Sequence, residues 1–448
     1  MAGSARHGKC TMLALLIVVI LFTGDSPRNK TVAETFEGYD LLVIGPGSYR
    51  GILQGFLDFK AAQGVKAKFY PIELINVNAT GQSIVEKLHD FIAEEHRRSG
   101  VKYLLLVGTY EHVPAKYVYS PSDEHGLADF NYKPSDWYYG VPDWNESEIG
   151  LLGGNIPRIA VGRLPVRNEE ELDRLIRKII RVEKGFQPGL FLVLKDQAVN
   201  VDTLLDVLHT CSPICVNTAP GILDPLLLKN VTYLVTITHG SQDALFTITL
   251  DGELRPLITS KEASRIVENY AIHYMSACFT GAIDLEGESL ARVLITSEGG
   301  PALVIASSRT EWSSNPILPV FWKSFFATGD VGQSFLEAVE TYLLDTNVFS
   351  PSKPSFSSYN FYLNKVIYGD VSWRIRNPGN SITGGEALTN SKPPVENSFK
   401  DFSDASRVEK EAAPTWSIIV LLLAAFSGCT FAARCEPFKK RQRLSLKV

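Results

Sequence analysis

Short uninterrupted apolar runs alternate with amphipathic stretches along most of this chain. Residues 39–44 (Tyr39-Asp40-Leu41-Leu42-Val43-Ile44) read as a buried strand ending at Gly45-Pro46-Gly47, and residues 48–63 suit a helix that stops at Gly64. Residues 66–72 alternate as a strand. Residues 82–98 place Ile84, Leu88, Phe91 and Ile92 on one helical face, and residues 103–107 form another buried strand. This is the βαβαβ rhythm of a parallel sheet covered on both faces. A long Tyr-, Pro-, Asp- and Trp-rich loop is expected over 109–156, the kind of segment that often carries function. A strand over 159–164 follows, then a charged helix over 169–184 capped by Asn168.

Gly185-Phe186-Gln187-Pro188-Gly189 marks a boundary, after which the rhythm repeats. Strands are expected over 191–194, 231–238, 271–277 and 302–306, helices over 317–327 and 331–344, and a last strand over 361–367. The pattern divides the exterior region into an N-terminal α/β subdomain (34–186) and a second one (187–376), followed by a polar stalk over 377–413.

Two apolar segments flank this region. Residues 12–22 are apolar and preceded by Arg6 and Lys9, so 1–33 reads as a signal peptide or N-terminal anchor. Residues 415–433 carry no charge, close to the ~20 residues that span a bilayer, so 414–434 is expected to be a transmembrane helix. The basic tail over 435–448 then lies in the cytoplasm and the α/β region on the extracytoplasmic side of the cell membrane. Four Asn-x-Ser/Thr sequons, at Asn29, Asn78, Asn145 and Asn230, fit that side.

A formal charge of −5 with both signs interspersed gives no ground for nucleic-acid binding. Of six cysteines, three lie in the exterior region. Cys211 and Cys215 are near enough in sequence to pair across Pro213, which leaves Cys278 as the odd thiol in an oxidising compartment.

The chemistry gathers at two strand ends. One apolar run finishes in Thr238-His239-Gly240-Ser241 and another in Ser276-Ala277-Cys278-Phe279-Thr280-Gly281. In open α/β sheets ligand sites sit beyond the carboxyl ends of strands, so neighbouring parallel strands would bring His239 and Cys278 within reach. A thiol is only partly ionised at neutral pH, and an imidazole that accepts its proton makes it a nucleophile. Gly240 leaves room for a substrate carbonyl, and its N–H with that of Cys278 forms a candidate oxyanion hole.

In motif order the chain resembles the gingipain-type cysteine peptidases of the caspase-like clan, over roughly residues 39–370. The resemblance rests on Tyr103-Leu104-Leu105-Leu106-Val107-Gly108, Val113-Pro114-Ala115-Lys116 and Ser135-Asp136-Trp137-Tyr138-Tyr139-Gly140. It continues through Ala160-Val161-Gly162-Arg163-Leu164-Pro165, the two strand ends above, and Tyr368-Gly369-Asp370. It implies a caspase-like α/β/α sandwich with a mostly parallel sheet in two subdomains, 187–376 being the catalytic one. It also implies an endopeptidase acting on a protein or peptide substrate, which the expected 414–434 helix would anchor in the membrane. His239 and Cys278 take the family's catalytic places. Asp196, after the first strand of the second half, takes that of the acid partner. Gingipains favour basic residues before the cut, which makes Asp202 a candidate for the substrate pocket by position. Asp136 is open between lining the cleft, orienting its loop, binding a structural calcium ion and ordinary loop packing.

Simpler readings stand beside these. A cysteine alone is more often a small core hydrophobe than a nucleophile, and a transamidase or a non-catalytic binding module would fit the same fold. His273, inside an apolar run, reads as a core histidine, and the remaining histidines lack metal-ligand spacing, so no metal or other cofactor is expected to be required. Gly45-Pro46-Gly47 reads as a strand-to-helix turn rather than a dinucleotide loop.

Overall fold

The computed structural model describes residues 38–79, 81–121, 131–218, 228–249, 252–311, 315–376 and 378. The expected signal segment, most of the expected stalk, the expected transmembrane helix and the basic tail lie outside the described residues. Among the described residues no helix is long and apolar enough to cross a membrane.

The first block of strands is β1 (Leu41–Gly45), β2 (Ala67–Pro71), β3 (Tyr103–Val107) and β6 (Ala160–Leu164). Between β3 and β6, a hairpin of β4 (Lys116–Tyr119) and β5 (Tyr132–Ser135) occupies part of the expected loop. The second block is β7 (Leu190–Lys195), β8 (Ile214–Asn217), β9 (Val231–Ile237), β13 (Asn269–Ser276) and β14 (Gly300–Ser307). A three-stranded antiparallel sheet of β10 (His239–Gly240), β11 (Ala244–Ile248) and β12 (Leu254–Thr259) follows β9. The last strand is β15 (Lys365–Gly369).

The two expected halves share one ten-stranded sheet, ordered β2-β1-β3-β6-β15-β14-β13-β9-β7-β8. β15 pairs in parallel with β6 and antiparallel with β14, the one reversal in the sheet. The remaining pairs are parallel. The two blocks therefore run in opposite directions, and their carboxyl ends face opposite edges. Strands β1, β3, β6, β9 and β14 are buried along their whole length, as expected of strands covered on both faces.

The helices are α1 (Arg50–Ala62), α2 (Ile72–Asn78), α3 (Ile84–Ser99), α4 (Glu169–Lys184), α5 (Asp202–Leu208), α6 (Ser260–Ala263), α7 (Leu290–Thr296), α8 (Ile317–Thr328), α9 (Val331–Leu343) and α10 (Phe356–Leu363). α3 starts at a reciprocal Ser83–Glu86 capping box and stops at Gly100, whose φ of 73° suits glycine. α4 starts at Asn168, whose side chain accepts from the Glu171 N–H. Its acidic first turn and basic last turn complement the helix dipole. α1, α4 and α7 pack together, as do α5, α8 and α9. Right-handed crossovers from β1 to β2 and from β2 back to β3 put α1 and α3 on opposite faces. α3 joins the α9 side through Trp137, which stacks on Phe335 at 4.9 Å between ring centroids.

Two local expectations are corrected. The last strand begins at Lys365, because residues 356–363 form α10, with Tyr359, Tyr362 and Leu363 buried at helical spacing. Cys211 and Cys215 are free thiols: the turn at Ser212 (φ 46°) leads Cys215 onto the exposed strand β8, while Cys211 stays buried.

Candidate active site

Three parallel neighbours, β7, β9 and β13, end side by side at one edge of the sheet. Asp196 follows β7, His239 stands two residues beyond β9, and Cys278 two residues beyond β13. The tips are tied together. The Asp196 N–H donates to the Ile237 carbonyl at 2.8 Å, and the Thr238 N–H donates to the Ser276 carbonyl at 3.2 Å. A Cβ on Gly240 would stand 2.6 Å from the Cys278 carbonyl oxygen and 3.0 Å from Ala277 Cβ and Thr280 Cγ2. The histidine turn thus lies directly against the cysteine turn, and only glycine fits there.

His239 is exposed, with its Nε2 3.8 Å from Asp196 Oδ2. That separation is within ion-pair range and beyond a hydrogen bond. Asp196 is buried, and its Oδ2 has no hydrogen-bond donor. A buried carboxylate oxygen without a donor is costly, so this one suits an imidazole N–H donor opposite it.

Cys278 is partly exposed. Its thiol donates to the Glu311 carbonyl and receives the Glu311 N–H, each at 3.3 Å. Burial pushes the thiol up to about 11, the Glu311 N–H opposes that, the Glu311 charge adds to it, and Lys365 lowers it. At neutral pH the resting group is therefore a thiol, not a preformed thiolate. The next residue, Phe279, has φ 60°, a sparsely populated conformation for a bulky side chain. The turn is fastened where Phe279 N–H donates to the Arg309 carbonyl (3.0 Å) and Gly281 N–H to the Ser307 carbonyl (2.9 Å). Strain held in place by surrounding bonds is common at reactive centres.

Asp202 is exposed in the first turn of α5, and its Oδ2 accepts from Asn200 Nδ2 at 3.0 Å. Asp136 is buried in a two-pronged pair with Arg163, at 2.7 and 2.8 Å. Arg163 is completely buried and also donates to the Gly108 carbonyl at 2.7 Å. Burial acts to lower the Arg163 pKa and the Asp136 charge more than offsets it, so the guanidinium stays charged. The pair ties the Asp136 turn to β6 and occupies both carboxylate oxygens. Among the described residues no group of three or more His, Cys, Asp or Glu side chains could hold a metal ion.

His273 is buried between Thr236 Oγ1 (3.2 Å) and the Tyr270 hydroxyl (3.1 Å), and burial lowers its pKa to about 3. It is a neutral core residue. The Gly47 N–H is occupied by the Glu73 carboxylate at 3.1 Å, as befits a plain turn.

The sequence profile of Peptidase family C25 matches residues 34–199 and 228–376, more than half of the chain and all three strand tips. The chain belongs to that family. Asp202 falls in the interval between the matched spans. Gingipain R1 of Porphyromonas gingivalis is 24% identical over 167 residues, 37% of this chain and 14% of that protein. The match thus spans about a seventh of the length of that relative.

Two solved structures share the fold. One, a complex of the pro- and mature domains of Porphyromonas gingivalis RgpB, aligns with TM-score 0.58 and 15% identity, over 75% of this chain and 80% of that one. The other, the Arg-specific cysteine proteinase gingipain R, aligns with TM-score 0.57 and 15% identity, over 77% and 80%.

Residue reading alone missed Glu311 and Lys365. The signal for the second was present, a lysine heading the apolar run Val366-Ile367-Tyr368. Arg163, inside Ala160–Leu164, gives the same kind of signal.

Proposed function

We propose that this C25-family protein is a cysteine endopeptidase with Cys278 as nucleophile, His239 as general base and acid, and Asp196 as the partner that orients the imidazole. The observation that carries this reading is the arrival of the three side chains at adjacent carboxyl ends of β7, β9 and β13. Because the resting thiol is protonated, the attack is base-assisted. The thiol proton passes to His239 as sulfur bonds to the peptide carbonyl carbon. The carbonyl oxygen takes the negative charge, and the N–H groups of Gly240 and Cys278 are assigned to hold it. The imidazolium, facing Asp196, then gives its proton to the leaving amine. Water attacks the thioester with His239 again as base, releasing the acid and restoring the thiol. Apo-site separations such as the 3.8 Å His239–Asp196 gap commonly tighten once substrate excludes water.

Anchoring by residues 414–434, with the peptidase region outside the membrane, belongs to the same proposal and rests on the sequence pattern. Asp202 is assigned to substrate recognition on position alone, as the exposed acid beyond Asp196.

Cys278→Ala should abolish both peptide cleavage and labelling by an electrophilic peptide probe. Full turnover in that variant refutes the assignment. Including an amine acceptor in the wild-type reaction distinguishes hydrolysis from acyl transfer, since only a transamidase forms the ligated product. An unlabelled wild-type Cys278 would point to a binding module.

A further inference from the structure

Beneath the Cys278 turn lies a buried polar cluster that the reaction scheme leaves unused. The Glu311 carboxylate is its centre. Oε1 accepts from Ser276 Oγ at 2.9 Å, from Asn315 Nδ2 at 2.7 Å and from Lys365 Nζ. Oε2 accepts from Ser307 Oγ. Lys365 is fully buried and also donates to Ser307 Oγ at 3.0 Å. The donors come from the end of β13, the end of β14, the start of β15 and the segment leading into α8, so one carboxylate fastens four pieces of chain. The main chain of this same residue grips the thiol, donating to Sγ and accepting from it.

Resting on the reading of Cys278 as nucleophile, we infer that Glu311 is a positioning residue. Its carboxylate, locked by Ser276, Ser307, Asn315 and Lys365, holds the Glu311 main chain against Cys278 and so fixes where the thiol sits. A carboxylate with four donors has no spare reason to move, and a satisfied buried network is rigid. An isolated buried lysine at Lys365 would be unfavourable, so the pair stands or falls together. Among the described residues the charged and titratable groups near Cys278 include Glu311 and Lys365, the Arg309–Asp284 ion pair flanking the turn, and His239 with Asp196 on the adjoining tips. Of these, Glu311 and Lys365 act on the thiol in opposite senses, the first disfavouring the thiolate and the second favouring it.

The test is iodoacetamide alkylation of Cys278 as a function of pH, alongside kcat and KM on a peptide substrate, for Glu311→Gln, Lys365→Met and the double variant. The alkylation midpoint should fall in Glu311→Gln and rise in Lys365→Met, a pair of opposite shifts that general loosening would not produce. In the double variant the charges cancel, and kcat should fall at least ~10-fold with KM within about twofold, because a lost anchor misplaces the nucleophile without emptying the substrate site. Should a single variant fail to fold, the double variant decides alone. Wild-type alkylation and kcat in every folded variant overturn the inference while leaving the peptidase reading intact. A wild-type protein that neither cleaves peptides nor alkylates at Cys278 overturns the peptidase reading itself, and the inference with it.

Discussion

Asp136→Ala separates a structural from a substrate-binding role for this buried acid. In the structure both Asp136 oxygens are taken by Arg163, which is itself completely buried and stacked 4.7 Å from the Tyr110 ring centroid. Truncating the acid leaves a buried guanidinium whose remaining hydrogen bonds among the described residues go to the Gly108 and Thr109 carbonyls, with no counter-charge among them. Breaking a buried ion pair from one side costs about 3–5 kcal/mol. In a unit of this size each kcal/mol moves the melting temperature by roughly 2 °C or slightly less, so the variant should melt about 5–8 °C lower. Replacing both partners, as Asp136→Leu with Arg163→Met, should recover most of that loss, because no uncompensated charge remains. Differential scanning calorimetry reads the stability, and kcat/KM on basic and non-basic peptides, normalised to folded protein, reads the function. The structural reading expects the same substrate preference in all variants. Wild-type melting with a changed preference in Asp136→Ala would refute it and return the carboxylate to the substrate cleft.

Three further outcomes follow from the site and its supports. His239→Ala should lower kcat by about 10²–10⁴, the usual contribution of general acid–base catalysis, and Asp196→Ala should lower it less; stopped assays on folded protein check both, and wild-type kcat in His239→Ala removes it from the mechanism. Gly240→Ala should cost most of the activity while leaving the fold in place, since its methyl would press on the Cys278 carbonyl at 2.6 Å and force the two tips apart; comparing far-UV dichroism with turnover tests this. Glu183, buried with Lys60 and Asp370, is pushed up to about 8, first by burial and then by the Asp370 charge. Unfolded, it would lose its proton near 4.5; folded, it keeps the proton to about 8, so between those values the folded state binds more protons and its stability falls as pH rises. Denaturant titrations across that window should show a shallower loss for Glu183→Gln, and an unchanged slope counts against a protonated Glu183.

By itself the sequence determined most of the long strands and helices of the main sheet, though not α10, the β4–β5 hairpin or the small antiparallel sheet, and where the candidate site residues stand on them. The runs of β1 and β3 are apolar throughout, and those of β9 and β14 are apolar apart from Thr232, Thr236 and Ser307, because both of their faces are buried, and α3 and α4 carry their own caps at Ser83 and Asn168. That a thiol and an imidazole end two such strands is equally local information. The tertiary structure decided what periodicity cannot encode, namely strand order and direction. Parallel pairing of β7, β9 and β13 leaves their tips together on one edge, and the antiparallel contact between β14 and β15 sends the carboxyl ends of the first block to the opposite edge. Likewise Asp136 with Arg163 and Glu311 with Lys365 are 27 and 54 residues apart in the chain. A charge inside an apolar run announces that a partner must exist, because burying it alone is too costly, but only the folded packing names that partner.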